Sequence, residues 1–248
     1  MVDYVQWLNN NIDWLSSLVI ISIFTLITIW YYVKFDKYEK EPKWRMITAF
    51  LLGLVSVIPA IIFELIMISI FPNLPHSIVV APFIEELSKG FFVVLLARWD
   101  EMDGPLDGMV YGGLIGAGFA GAENLLYAYH SLAASGLTAS IVTASFRSVF
   151  QIVGHPFFTA MTGYGVGAAK VGLGRFRWGA VWKAMLAHAF WNTTAALPGF
   201  LSVLGLIVVA IVYIWYLRRV FRKAQEIDLD AANRGYYKRD DIPYVLGK

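Results

Sequence analysis

The chain reads as an all-α membrane protein, a polytopic bundle of about seven transmembrane helices, and three observations carry that fold class. Hydrophobic residues fill 58% of its 248 positions and charged residues only 15%, with a mean hydropathy of +0.60; a soluble domain cannot hide that much apolar surface. Apolar stretches of about 20 residues, the length that crosses a hydrocarbon core, recur from end to end. Trp and Tyr gather at the ends of these stretches, as in Tyr31, Tyr32, Trp178, Trp215 and Tyr216, where amphipathic rings favour the headgroup layer. The absence of cysteine excludes disulfides, thiolate metal sites and a thiol nucleophile together. The net charge of +2 implies no nucleic-acid partner, because the basic residues sit in loops beside the apolar stretches.

The expected spans run at 14–33, 46–71, 78–98, 106–129, 138–168, 179–197 and 200–217. The first is too long, and too poor in preceding Lys and Arg, for a cleaved signal peptide, so it is expected to stay as an anchor. Basic residues cluster after it (Lys34, Lys37, Lys40, Lys43, Arg45), before the sixth span (Lys170, Arg175, Arg177) and after the last (Arg218, Arg219, Arg222, Lys223). The N-terminal segment and the loops at 72–77 and 130–137 have none. Cytoplasmic loops hold the excess of Lys and Arg, so this alternation predicts the N-terminus outside and the C-terminus in the cytoplasm. One transmembrane domain is expected over 1–223, followed by a polar, mobile cytoplasmic tail over 224–248.

Charged groups at membrane depth are expensive and usually face a bundle interior or a water cavity. The peptide FIEELSKGFF puts Glu85, Glu86 and Lys89 inside the third span. Lys89, at i+3 from Glu86 and i+4 from Glu85, can neutralise one carboxylate by an intrahelical pair, which leaves the second for catalysis or substrate binding. Glu123 and Asn124 follow in the fourth span, Arg147 and His155 in the fifth, and His188 and Asn192 on one face of the sixth. The predicted topology places all of them in the outer half of the bundle. Each has a plainer alternative: interhelical hydrogen bonding for the histidines and Glu123, a carboxylate partner for Arg147, and for His155 a kink at the following Pro156. The glycine-rich stretches YGGLIGAGFAGAEN and TGYGVGAAKVGLG lack the strand of a phosphate-binding loop and read instead as close helix-helix packing.

Taken in order, FIEELSK, DGMVYGGLIGAGFAGAENLLY, RSVFQIVGHPFFTAMTGYGVG and LAHAFWN resemble the PrsW family of intramembrane proteases, and Glu41-Pro42 fits the same pattern. That family is similar to the type II CAAX prenyl proteases, a superfamily of glutamate-dependent membrane endopeptidases. The resemblance implies catalytic roles for Glu85, Glu86, His155, His188 and Asn192, with Lys89, Glu123, Asn124 and Arg147 in support. Two positions depart from the pattern: Gly90 stands where CAAX proteases carry Arg, and Asn192 where some PrsW members carry Asp.

These residues permit water-mediated peptide hydrolysis. Glu85 is the expected general base, with His155 holding the water and Glu86 paired to Lys89; His188 and Asn192 are the expected oxyanion donors. No cofactor is expected, with zinc as the alternative, since Glu and His are legitimate ligands although no HExxH helix occurs. The expected partners are the lipid bilayer and a membrane-anchored protein substrate, which the resemblance narrows to a single-pass signalling protein such as an anti-sigma factor. Nothing in the sequence specifies an oligomeric state. The competing function is a proton-coupled transporter or channel that uses the same Glu and His groups as a relay, and it would show repeats or matching interrupted helices that the chain lacks. The implied location is the cell membrane of a prokaryote.

Overall fold

The computed structural model describes residues 4–36, 40–170 and 179–233, all of it helix and short connections with no strand among the described residues. The helices are α1 (Tyr4–Val33), α2 (Lys43–Ile70), α3 (Ala81–Leu96), α4 (Pro105–Ser135), α5 (Leu137–Val149), α6 (His155–Lys170), α7 (Gly179–Ala195) and α8 (Phe200–Asn233). A π-helical turn, His76–Val80, leads into α3, and a 3-10 turn, Gln151–Val153, joins α5 to α6. Lys37, Arg175, Arg177, Trp178 and the tail beyond 233 lie outside the described residues.

Every expected span has a helix, and the fifth is broken. Pro156 lacks an N–H and crowds the carbonyl one turn earlier, so the helix yields just before it. The two pieces, Leu137–Val149 and Gln151–Lys170, meet at 47°. Three described helices are long and apolar enough to cross a membrane, α1, α2 and α8, and a fourth is added if the bent pair counts as one span. α3 and α7 are short, at 16 and 17 residues. α4 is long, but its first sixteen residues, through Ala120, are all buried by protein. A helix shielded in this way needs no apolar, lipid-like surface. Leu26, Leu65 and Ile211 instead present that surface on α1, α2 and α8.

α4 is the central post, with α1, α2, α5 and α6 packed around it. Glycine lets the backbones meet. A Cβ at Gly112 would stand 2.5 Å from the Thr159 carbonyl oxygen, and one at Gly116 would stand 2.5 Å from that of His155. The glycine stretch therefore seats α6 on α4, as close-packing small residues do in membranes, and fixes the height of His155.

At the start of α4 lies a closed polar cluster. The Tyr111 hydroxyl donates to Glu41, the Glu41 N–H donates to Asp36 Oδ2 at 2.8 Å, and the Asp103 N–H donates to Asp107 Oδ2 at 3.1 Å. Burial pushes the Asp36 carboxyl up to about 6, against the opposing pull of the Glu41 N–H and the Lys40 charge. α8 seals this end. Its helix continues past 223, with Ala224 fully buried and the Gln225 amide donating to the Phe35 carbonyl at 2.7 Å, so the polar stretch expected from residue 224 begins as docked helix.

Candidate active site

Adjacent residues on a helix project about 100° apart, so Glu85 and Glu86 face different neighbours. Glu86 faces inward. Its Oε1 accepts from Lys89 Nζ at 2.5 Å and from His188 Nδ1 at 3.0 Å, with the Glu86 and Lys89 side chains wholly enclosed. Lys89 also reaches His155 Nδ1 at 2.8 Å and lies 4.4 Å from the centre of the Phe119 ring.

Glu85 faces the two imidazoles. Its Oε2 lies 3.5 Å from His155 Nδ1 and 3.9 Å from His188 Nε2, and it is buried with no hydrogen-bond partner. The far nitrogens of both rings rest on carboxylates: His155 Nε2 is 2.8 Å from Glu123 Oε2, and His188 Nδ1 is on Glu86. A carboxylate accepts only, so those nitrogens carry the protons. The lone pair of His188 Nε2 is left on the Glu85 side, whereas that of His155 Nδ1 accepts from Lys89. His188 stacks on Phe158 with centroids 4.8 Å apart, and the two imidazoles stand nearly perpendicular, at 88°.

Arg147 ties the outer part of this network together. Its guanidinium donates to Glu123 Oε2 at 2.6 Å and to Asn124 Oδ1 at 2.8 Å, and it lies 3.8 Å from the Tyr127 ring centre. Eight of the nine expected residues are thus one network across α3, α4, α5, α6 and α7. The ninth, Asn192, lines the same cavity, but its amide donates to the Ser77 carbonyl at 2.8 Å.

The cavity has a volume of about 470 Å³ and is lined by Glu85, Glu123, His155, His188 and Asn192 among others. Sequence reasoning left two further wall residues unassigned. Glu64, on α2, faces His76 at 3.4 Å, and Gln151, in the 3-10 turn, donates through Nε2 to Thr25 Oγ1 at 2.9 Å. An ionisable residue alone in the most apolar helix was a signal for Glu64. The Gln151 role depends on the break before Pro156, which periodicity does not show.

One Glu85 oxygen and one nitrogen each from His155 and His188 lie within 4.8 Å of one another, so the three can hold a metal ion. They fit one chemically. Two imidazoles and a carboxylate form a known zinc donor set, and a carboxylate behind each imidazole fixes its tautomer and raises its basicity as a ligand. The unpartnered Glu85 oxygen would be the third donor, and an ion held there would displace Lys89 from His155 Nδ1.

The sequence profile described as "PrsW family intramembrane metalloprotease" matches residues 41–217, most of the chain. The chain belongs to the PrsW family. Among its PrsW relatives, "Protease PrsW" of Geobacillus kaustophilus is 30% identical over 165 residues, which cover 65% of this chain and 69% of that protein. "Protease PrsW" of Oceanobacillus iheyensis is 33% identical over 135 residues, 52% of this chain and 59% of that protein. The Bacillus subtilis protein of the same name is 28% identical over 152 residues, 57% of this chain and 62% of that protein. No solved structure matches the chain. As a PrsW member it is a protease and a multi-pass membrane protein of prokaryotic type.

Proposed function

We propose that this PrsW protein cuts a single-pass membrane-anchored protein, such as an anti-sigma factor, by adding water to a peptide bond at Glu85. Its seven spans, with the N-terminus outside and the C-terminus in the cytoplasm, follow from the Lys and Arg distribution. That topology puts the cavity in the outer half of the bilayer. A single observation carries the reading: the Glu85 oxygen, buried without a partner, faces the His155 and His188 imidazoles inside a cavity.

In this reading Glu85 takes a proton from water as the hydroxide adds to the substrate carbonyl, and the proton passes to the leaving amine as the C–N bond breaks. His155 and His188 flank the water, each oriented by the carboxylate behind it, and Lys89, which holds His155 Nδ1 in the resting protein, yields that nitrogen to the water. Lys89 neutralises Glu86 and keeps that carboxylate on His188. Asn192, bound to the Ser77 carbonyl in the resting protein, turns to the oxyanion when substrate fills the cavity. Its departure from the Asp of some relatives suits hydrogen-bond donation.

The carboxylate behind each imidazole favours a second reading, in which Glu85, His155 and His188 hold a divalent cation such as zinc. That ion would supply Lewis-acid polarisation and a more acidic bound water. Cleavage of a reconstituted membrane-anchored substrate, before and after chelation and zinc restoration, separates the two. Activity that is lost and then restored supports the metal; activity indifferent to chelation supports Glu85 alone. A folded, zinc-supplemented protein that cuts no membrane-anchored substrate contradicts both.

A further inference from the structure

α2 and α5 both pack on α4, and the cavity lies between them, lined by Ile61 of α2, Leu126 and Tyr127 of α4 and Phe146 of α5. The outer stretch of α4 between them is uncovered, with Leu126, Tyr127 and Tyr129 exposed at 48%, 49% and 60%. The catalytic cavity opens on this strip, because its lining includes the exposed Ile61, Leu126, Tyr127 and Phe146. The result is a groove with an apolar rim at membrane depth and a polar floor that leads to Glu85.

The floor holds an unmet donor. Asn124 is 3% exposed and lines the cavity, and its Oδ1 accepts from Arg147 Nε. A guanidinium only donates, so the oxygen must be at that end and Nδ2 at the other. Nδ2 is buried without an acceptor. A buried donor left unpaired gives up its bonds to water for nothing in return, so it calls for an explanation. The missing group is an acceptor, which a lipid acyl chain lacks. A peptide supplies one where it unwinds: main-chain carbonyls bonded within a helix become free when that helix opens. A protease in a membrane needs an opened backbone at the bond it cuts.

We propose that the groove between α2 and α5, floored by α4, admits the transmembrane segment of the substrate, and that Asn124 Nδ2 binds a main-chain carbonyl of its unwound stretch. This rests on the proteolytic reading above and names where its substrate sits. Ile61, Leu126 and Phe146 meet the apolar helix, and Asn124 holds the part that has left it. Arg147 keeps the Asn124 amide turned toward the substrate.

The test is Asn124→Asp, which keeps the acceptor for Arg147 and the side-chain shape but loses the donor. The expected result is a fall of roughly ten- to a hundredfold in kcat/KM for a membrane-anchored substrate, mostly through KM. A purely structural Asn124, there to hold Arg147, would leave KM unchanged, and that outcome overturns the proposal. A second measurement needs neither turnover nor the Asp variant. The chain has no cysteine, so Leu126→Cys in a Glu85→Gln background can be tested for disulfide trapping of a substrate with one cysteine in its transmembrane segment. Ile211→Cys, on the exposed face of α8, is the control. Trapping at 126 well above 211 is expected. Equal trapping at both sites, or none at 126, removes the groove as the substrate path even where the wild-type protein cuts; trapping at 126 of a substrate that the wild-type protein never cuts points instead to failure of the proteolytic reading.

Discussion

Two buried polar clusters stand on one helix and behave differently. Asp107 and Tyr111, at the start of α4, belong to the cluster with Glu41 and Asp36, whereas Glu123, sixteen residues later and roughly 24 Å along the axis, belongs to the one with His155 and Glu85. Both gather carboxylates out of water. The first is out of reach: Tyr111, Asp103 and Glu41 donate into it, and although Asp36 Oδ1 is also left without a partner, the described cavity lining does not include it. The second keeps a Glu85 oxygen and an Asn124 amide without partners and opens on a cavity of about 470 Å³. Both clusters have bonding capacity left over, so access decides between them: buried charge is a candidate for chemistry where a cavity reaches it, and joins helices where none does.

The sharpest way to break this contrast is Glu86→Gln. Lys89 is wholly enclosed and pairs with Glu86, and removal of one partner from a buried ion pair typically costs about 3–5 kcal/mol. A large fall in thermal stability is expected along with loss of turnover, because His188 loses its carboxylate. Wild-type stability with turnover abolished would transfer the central role from Glu85 to Glu86. Tyr111→Phe probes the closed cluster by removing the hydroxyl that donates to Glu41. Stability should fall by about 1–3 kcal/mol, with turnover of the remaining folded protein unchanged. A comparable loss of turnover would mean that the closed cluster takes part in the reaction.

The last effect shows only as a change with pH and concerns Asp36, whose carboxyl is raised by burial to about 6 from the ordinary 3.8. Between those values the unfolded chain has released the proton while the folded protein still holds it, so stability falls as pH rises from about 4 to 6 and levels off above. The shift is worth up to about 3 kcal/mol. Melting temperatures at pH 4.5 and 7 should therefore differ more in the wild type than in Asp36→Asn, with the wild type steadier at the lower pH. An unchanged difference removes Asp36 from the account.

Much of the open cluster was legible because membrane depth is a one-dimensional coordinate. Once spans are placed, Glu85, Glu123, His155 and His188 fall at one height, and the pairing of Glu86 with Lys89 follows from i, i+3 spacing. The glycine stretches likewise announced close helix-helix packing, though not that α4 and α6 are the partners. Rotation about each helix axis was not legible. It decides that Asn192 meets Ser77, that Glu64 meets His76 across a turn, and that the Glu123 carboxylate lies behind His155. Such pairs join residues up to 115 positions apart, and local periodicity carries no trace of them. The reach of α8 to Asn233 was hidden for a related reason: its last turns are polar in composition and are held by Phe35, which only the fold brings near.

The central claim is that the open cluster does the chemistry through the Glu85 carboxylate. The most direct measurement is single-turnover cleavage of a reconstituted membrane-anchored substrate by Glu85→Gln, with melting temperature as the check on folding. Loss of the carboxylate should slow cleavage at least about a thousandfold, as expected when water activation and water positioning fail together, with no loss of thermal stability. Cleavage within about tenfold of wild type by that folded variant would contradict the account.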